Sequence, residues 1–420
     1  MSPSDRGAHR GASRRGFLGG ALTGAAGAAL AAGAPADAGP GPAQVTPFHG
    51  PHQAGIVTPA QLHTCFAAFD LDSDSRAGVS RLFQVWTEAA ARLCAGRAVT
   101  GDADGASTDS GDVVGLSPSR LTITFGFGPG LFVKNGVDRY GLAAKRPAAF
   151  VDLPAFKGDQ LIPERTGGDL SVQACADDAQ VAFHAVRELA RLADGAARLR
   201  WSQTGFIGAF KAGETPRNLM GFKDWTRNPA VTDAKLMQDH VWVGEEGGDW
   251  MTGGSYLVAR PARIALEHWD RMKTGFQEQT LGRHKLSGAP IGRSREADPP
   301  DFAAVDGDGN PVIAEAAHIR LAAPEQNGGA QMLRRSYSYN NGLSVIAERW
   351  PPWRQGLMFD AGLLFICYQR DPRRAFIPMF DRMSRFDMMN QFVTHIGGGL
   401  FACPGGIRPG EFLGQRLLAA

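Results

Sequence analysis

Three side chains in this sequence have types and spacing that could do chemistry together. The stretch Ala317 to Tyr339, AHIRLAAPEQNGGAQMLRRSYSY, joins His318 to the double arginine Arg334-Arg335 in a region with few other titratable pairs. Upstream, NLMGFKDWT places Asp224 in a glycine-bounded turn, 94 residues before His318. A neutral imidazole can ligate iron, a carboxylate can carry a proton, and a guanidinium that never loses its proton can steady developing negative charge. Alone, His318 reads equally well as an ordinary packed imidazole. With an acid and an arginine, it suggests a haem site that handles a peroxide.

Such side chains need a frame, and the sequence repeats one. Asp169 to Arg191, DLSVQACADDAQVAFHAVRELAR, reads as an apolar strand, an acidic turn, and a helix with apolar residues at helical spacing. Gly362 to Arg385, GLLFICYQRDPRRAFIPMFDRMSR, has the same grammar, with Asp371-Pro372 in the turn. Each half adds a strand candidate, Leu121 to Phe125 and Tyr256 to Ile264, and a helix, Val79 to Cys94 and Ile264 to Gln279. Strands and helices mix without regular βα alternation or a glycine-rich nucleotide turn, so the fold class is α+β. The reading is two related domains, 45–210 and 211–420, split near Thr204 to Pro216. Two long loops, Gly96 to Ser117 and Gly282 to Pro311, punctuate them. The second precedes His318 and could line a pocket.

Residues 1–38 stand outside that frame. Ser13-Arg14-Arg15-Gly16-Phe17-Leu18, an apolar run to about Ala34, and Pro35-Ala36-Asp37-Ala38 read as a twin-arginine export signal. Four arginines against two aspartates in this leader account for the whole formal charge of +2. The remaining chain is near neutral, which argues against a nucleic-acid partner. Five cysteines show no CxxC and no Cys/His metal spacing, and Cys175 and Cys367 read as small buried hydrophobes. After the leader no segment is apolar for long enough to span a membrane. His52, His184, His240, His268, His284 and His395 default to structural roles.

Nine segments in order carry a resemblance over nearly all of the chain after the leader. They are FHGPHQAGIVTPAQ, LTITFGFGPGLF, GGDLSVQACADD, NLMGFKD, GSYLVARPARI, GRHKLSGAP, AHIRLA, LRRSYSY and FVTHIGGGLFACPGG. The chain resembles dye-decolorising peroxidases of the exported, deferrochelatase-like bacterial type. The resemblance implies two ferredoxin-like domains, each an antiparallel sheet with helices, and one haem b held mainly by the C-terminal half. It implies reduction of hydrogen peroxide and one-electron oxidation of bulky aromatic donors through an oxoferryl intermediate, outside the cytoplasmic membrane, with a possible homo-oligomer. The rival it also carries is a haem-handling, iron-releasing protein with weak peroxidase activity. Residue by residue, His318 matches the axial iron ligand, Asp224 the distal acid and Arg334 the distal arginine. Trp225, Thr226 and Arg227 continue the stretch expected to contact the cofactor. Asp387 matches the acceptor for the other nitrogen of His318, although Asp381 lies only six residues away.

The chain departs from the family pattern twice. Trp225 follows the acid where the family has glycine. It could narrow the site, move Asp224, supply an oxidisable ring, or simply point elsewhere. Ala-Ala-Pro-Glu stands near His318 where relatives often have Asn-Pro-Arg, so Ala323 and Glu325 are not expected to hold the cofactor. No tryptophan or tyrosine is singled out as a radical site.

Overall fold

The computed structural model describes residues 45–99, 109–211, 213–347 and 355–419. The leader lies outside them, as does part of the loop at Gly96 to Ser117. The first half runs β1 (His63–Leu71), α1 (Arg76–Cys94), β2 (Thr122–Phe127), β3 (Leu170–Ala176), α2 (Ala179–Leu192) and β4 (Ala197–Phe206). After α3 (Ala234–His240) come β5 (Ser255–Ile264), α4 (Leu266–Trp269), α5 (Thr274–Leu281), α6 (His318–Leu321), β6 (Leu333–Arg334), β7 (Tyr337–Ala347) and β8 (Gln355–Gln369). The chain ends with α7 (Phe376–Phe386), β9 (Val393–His395), β10 (Gly399–Cys403) and α8 (Gln415–Leu418).

Local sequence explains the boundaries. Ser75 caps α1 by accepting from Gly78 N, and Asp178 caps α2 by accepting from Gln180 N and Val181 N. The repeat read from sequence is present: β3, the acidic turn and α2 in the first half, β8, the Asp371-Pro372 turn and α7 in the second. The helix expected over Ile264 to Gln279 is instead two short ones, α4 and α5. Trp269 and Leu281 fill one small core with Met220, Phe222 and Phe392. On a straight helix those two residues would stand about 18 Å apart, so the chain must bend between them.

Both halves share one topology. In the first the strand order is β4-β1-β3-β2, all antiparallel. In the second it is β7-β8-β5-β10, again antiparallel. Each is a ferredoxin-like βαββαβ sheet, as expected. The two sheets meet at both edges, through Phe206 opposite Ser338 and Ala402 opposite Phe127, so eight strands close into a ring. Side-chain alternation then divides the core. On β1, Cys65, Ala67, Phe69 and Leu71 face the helices with Trp86 and Leu189, while Phe66 and Ala68 face inward. The inner core joins them to Leu257 and Ala259 of β5, Ile366 and Tyr368 of β8, and Phe401 and Cys403 of β10. Both faces of β1, β2 and β3 are buried, so even the polar side chains that alternate along β2 and β3, Thr122, Thr124, Ser171 and Gln173, are covered.

Candidate active site

His318 opens the four-residue helix α6, with Ala317 as its cap. Its Nδ1 lies 2.7 Å from Oδ2 of Asp387. Asp387 is buried and caps the short turn after α7, its Oδ1 accepting from Met389 N at 2.8 Å. A carboxylate so fixed is an acceptor only, which puts the imidazole proton on Nδ1 and leaves the Nε2 lone pair outward. Among the described residues no hydrogen bond to His318 Nε2 occurs, and the side chain is 29% exposed. Asp381, the other carboxylate near in sequence, pairs instead with Arg385 at 2.9 Å on the surface of α7. The same helix steadies α6: Arg382 donates to Gln326 O at 2.7 Å and to Leu321 O. Sequence gave no cue to Arg382, because a basic residue on an amphipathic helix ordinarily faces water.

The acid sits on a loop with its own anchors. Met220 and Phe222 are buried beside Trp269, whose indole donates to Met220 O at 3.0 Å. Asp224 N donates to Pro216 O, and Arg217 Nη1 donates to Lys285 O at 2.6 Å, tying this loop to the one that begins at Gly282. That second loop thereby braces the loop of Asp224. Glu296 from it accepts from Thr226 Oγ1 at 2.8 Å and from the Thr215 hydroxyl.

Arg334 ends β6 and returns to this loop. Its Nη1 is 3.8 Å from Asp224 Oδ1, its Nη2 donates to Thr226 O at 2.7 Å, and Asn228 brackets its backbone, Nδ2 donating to Arg334 O at 2.7 Å. Asp224 Oδ1 also accepts from Trp225 N, while no partner of Oδ2 occurs among the described residues. Arg335, next in sequence, points the other way, into the ring interior, where its guanidinium donates to Gln61 and to Thr58 O. The pair read from sequence thus splits, since successive residues of extended chain face opposite sides.

Buried Arg283 lies near the guanidiniums of Arg334 and Arg227. Burial pushes it down to about 10, the charges of Arg334 and Arg227 push the same way, and Glu296 opposes them. Sequence reading missed Arg283 and Asn228.

The structure brings together Asp224 with Arg334, and His318 with Asp387. It gives Thr226 and Arg227 protein partners: Thr226 holds Glu296, and Arg227 Nη2 donates to Glu325 Oε1 at 2.6 Å. That ion pair bridges the loop of Asp224 to the turn after His318, and it makes Glu325, left aside from sequence, part of the frame. The Arg227 guanidinium holds the Glu325 carboxyl below its usual range.

Trp225 has φ +61°, in the left-handed region where glycine is free and other residues are strained by about 1–2 kcal/mol. Its indole packs edge-on against Phe210 at 6.0 Å between centroids and against the cluster of Cys175, Ile207 and Tyr337. Its buried Nε1–H has no hydrogen-bond partner.

Two sequence profiles match this chain: "Dyp-type peroxidase, N-terminal" over residues 53–207 and "Dyp-type peroxidase, C-terminal" over residues 215–408. The chain belongs to the Dyp-type peroxidase family. It is 37% identical over 389 residues to a protein named Deferrochelatase from Yersinia pseudotuberculosis serotype I, covering 90% of this chain and 86% of that one. It is 38% identical over 384 residues to a Deferrochelatase from Escherichia coli O6:K15:H31, covering 89% and 87%. Among solved structures it is similar to a DyP-type peroxidase from Streptomyces coelicolor, with TM-score 0.81, 42% identity, and 90% and 97% of the two chains covered. Ferric DtpA from Streptomyces lividans gives TM-score 0.80, 41% identity, and 89% and 97% covered. For a Dyp-type peroxidase, two ferredoxin-like sheets are the expected frame.

Proposed function

We propose that His318, Asp224 and Arg334 are the working side chains of a haem peroxidase that reduces hydrogen peroxide and oxidises bulky aromatic donors. The observation that carries this reading is the pairing of two half-sites on braced loops. One is an imidazole with Nδ1 fixed by Asp387 and Nε2 unpartnered, and the other is a carboxylate with a free Oδ2 beside a guanidinium. This donor set would fit haem b: His318 would hold the iron through its neutral nitrogen, and the Asp224–Arg334 pair would supply a proton carrier and a fixed positive charge. Bound there, haem supplies the iron that takes peroxide and the one-electron redox chemistry.

The protein's own part is positional and protonic. Asp387 holds the His318 ring in one tautomer and raises its basicity. Asp224 Oδ2 takes a proton from one oxygen of hydrogen peroxide and delivers it to the other, making that oxygen the better leaving group. Arg334 stabilises the negative charge that develops between those steps. Thr226, Arg227 and Asn228 position this pair: Thr226 O and Asn228 hold Arg334, and Arg227 locks the acid's loop to the turn after His318. Domains at 45–210 and 211–420 are part of the same reading, with the cofactor held mainly by the second.

The test is rapid mixing of the holoprotein with hydrogen peroxide. The Soret band shifts within the mixing experiment for the wild-type protein, and for Arg334→Leu it shifts roughly 10²–10³-fold more slowly with haem retained. His318→Ala is purified largely free of haem. A wild-type band unmoved by excess peroxide, together with iron released from an intact porphyrin, would instead establish the iron-releasing reading. Export by the twin-arginine route, to the periplasm or beyond, rests on Ser13 to Leu18. Replacing Arg14 and Arg15 with lysine retains the protein in the cytoplasmic fraction, and undiminished export would refute the route.

A further inference from the structure

Far from the peroxide site in sequence, α2 carries a second cluster that the peroxidase chemistry does not use. His184 and Glu188 are four residues apart on this helix, so their side chains share one face. Asp109 comes from the segment between α1 and β2, and one ligand atom from each of the three lies within 4.8 Å of the others. His184 is only 1% exposed and Glu188 is fully buried. The His184 Nδ1 lies 2.8 Å from Asp112 Oδ1 and 3.4 Å from Ser110 Oγ. Asp112 thereby fixes the proton on Nδ1, and Nε2 is left buried without a hydrogen-bond partner.

That orphaned nitrogen faces Asp109 Oδ2 at 3.6 Å. The gap is too long for an N–H···O bond, yet it brings two electron-rich atoms together in a water-poor place. It is close to the edge of a tetrahedral zinc site, about 3.4 Å for ligands some 2.1 Å from the ion. The carboxylates have other partners that leave lone pairs available. Asp109 Oδ2 accepts from Val99 N and Oδ1 from Gly111 N, Glu188 Oε1 accepts from Ser110 N, and Glu188 Oε2 accepts from Arg191 at 2.6 Å.

We propose that Asp109, His184 and Glu188 form a structural site for a divalent transition ion of the zinc type, with Asp112 orienting the imidazole from behind. One nitrogen and two carboxylate oxygens are donors that zinc accepts. The ion clips the segment Asp109 to Asp112 onto α2, holding the end of a long loop against the first domain.

Titration of the holoprotein with Zn²⁺ alone, followed by calorimetry and by elemental analysis after dialysis, tests this. The wild-type protein retains one zinc per chain, and its melting temperature rises by roughly 2–4 °C or more in excess zinc. His184→Gln loses that equivalent and that shift. Asp109→Asn, a milder change on the loop, loses them too while keeping the Soret band and the peroxide reaction of the wild type. Failure of the wild-type protein to retain zinc, or retention by both variants equal to the wild type, overturns the site and leaves His184 as a histidine held between two carboxylates.

Discussion

At the scale of single residues the proposed mechanism rests most heavily on one hydrogen bond. Asp387 Oδ2 and His318 Nδ1 are 2.7 Å apart, and the other oxygen of Asp387 is held by Met389 N, so the carboxylate cannot turn away. Asparagine at position 387 keeps the shape but offers a neutral amide to the imidazole. The ligand is then less basic and its tautomer less firmly set. Asp387→Asn is therefore expected to lower haem affinity 10–100-fold without unfolding the chain, read as faster haem transfer to a scavenger protein. A transfer rate equal to the wild type would remove Asp387 from the haem-holding role. Trp225 answers a different question at the same scale. Sequence left open whether it crowds the site or moves the acid. The structure seats its indole on Phe210 and Ile207 and leaves Asp224 beside Arg334, so the departure from glycine is carried as backbone strain at φ +61°.

At the scale of elements, charge holds strands together in the first domain. Asp70 on β1 meets Lys134 at 3.1 Å and Arg200 of β4 at 3.0 Å, and Lys134 also reaches Asp169 at 2.7 Å. Burial pushes the Asp70 carboxyl up, but hydrogen bonds and charge from Lys134 and Arg200 outweigh it and hold it below the usual range. A carboxyl lowered on folding contributes stability that is present above the unfolded value, about 3.9, and is lost as pH falls through the folded one. Asp70→Asn is expected to cost about 2 kcal/mol at pH 7, measured by urea unfolding, and the gap should narrow near pH 3. An equal gap at both pH values would show that ionisation of Asp70 does not matter. This network was not legible in the sequence, because its members come from four separate segments. The helices and strands were more readable where periodicity and caps are local, as at Asp178 before α2. The break between α4 and α5 was not, because it answers to a tertiary core built with Met220 and Phe222. In the candidate site, His318, Asp224 and Arg334 were named through motif resemblance. Arg283, Asn228 and Arg382 were missed because burial and loop contacts, not residue pattern, give them their work.

At the scale of the whole molecule, ring closure decides the chemistry of the thiols. All five cysteines are buried and unpaired. Cys65 and Cys175 lie on neighbouring strands, but Cys65 is registered opposite Ala174 and Cys175 opposite Thr64, so alternation sends their side chains to opposite faces of the sheet. Cys367 and Cys403 are likewise divided between the outer and inner cores. No rotation of a side chain brings either pair into disulfide geometry while the ring is intact. Burial also pushes the Cys65 and Cys94 thiols up to about 12, with nearby Cys175 adding to the effect at Cys65, and raises Cys367 and Cys403 as well. Thiolate is the form that reacts, so these groups are shielded both sterically and by protonation. Iodoacetamide at pH 8 is therefore expected to leave the native protein unmodified and to add five groups once the ring is opened in denaturant, counted by intact mass. A native adduct at any cysteine would mean that its strand, or α1 in the case of Cys94, opens without global unfolding. Because each sheet is closed by the other at both edges, labelling is expected to appear at all buried positions together, at the denaturant concentration where the ring itself gives way.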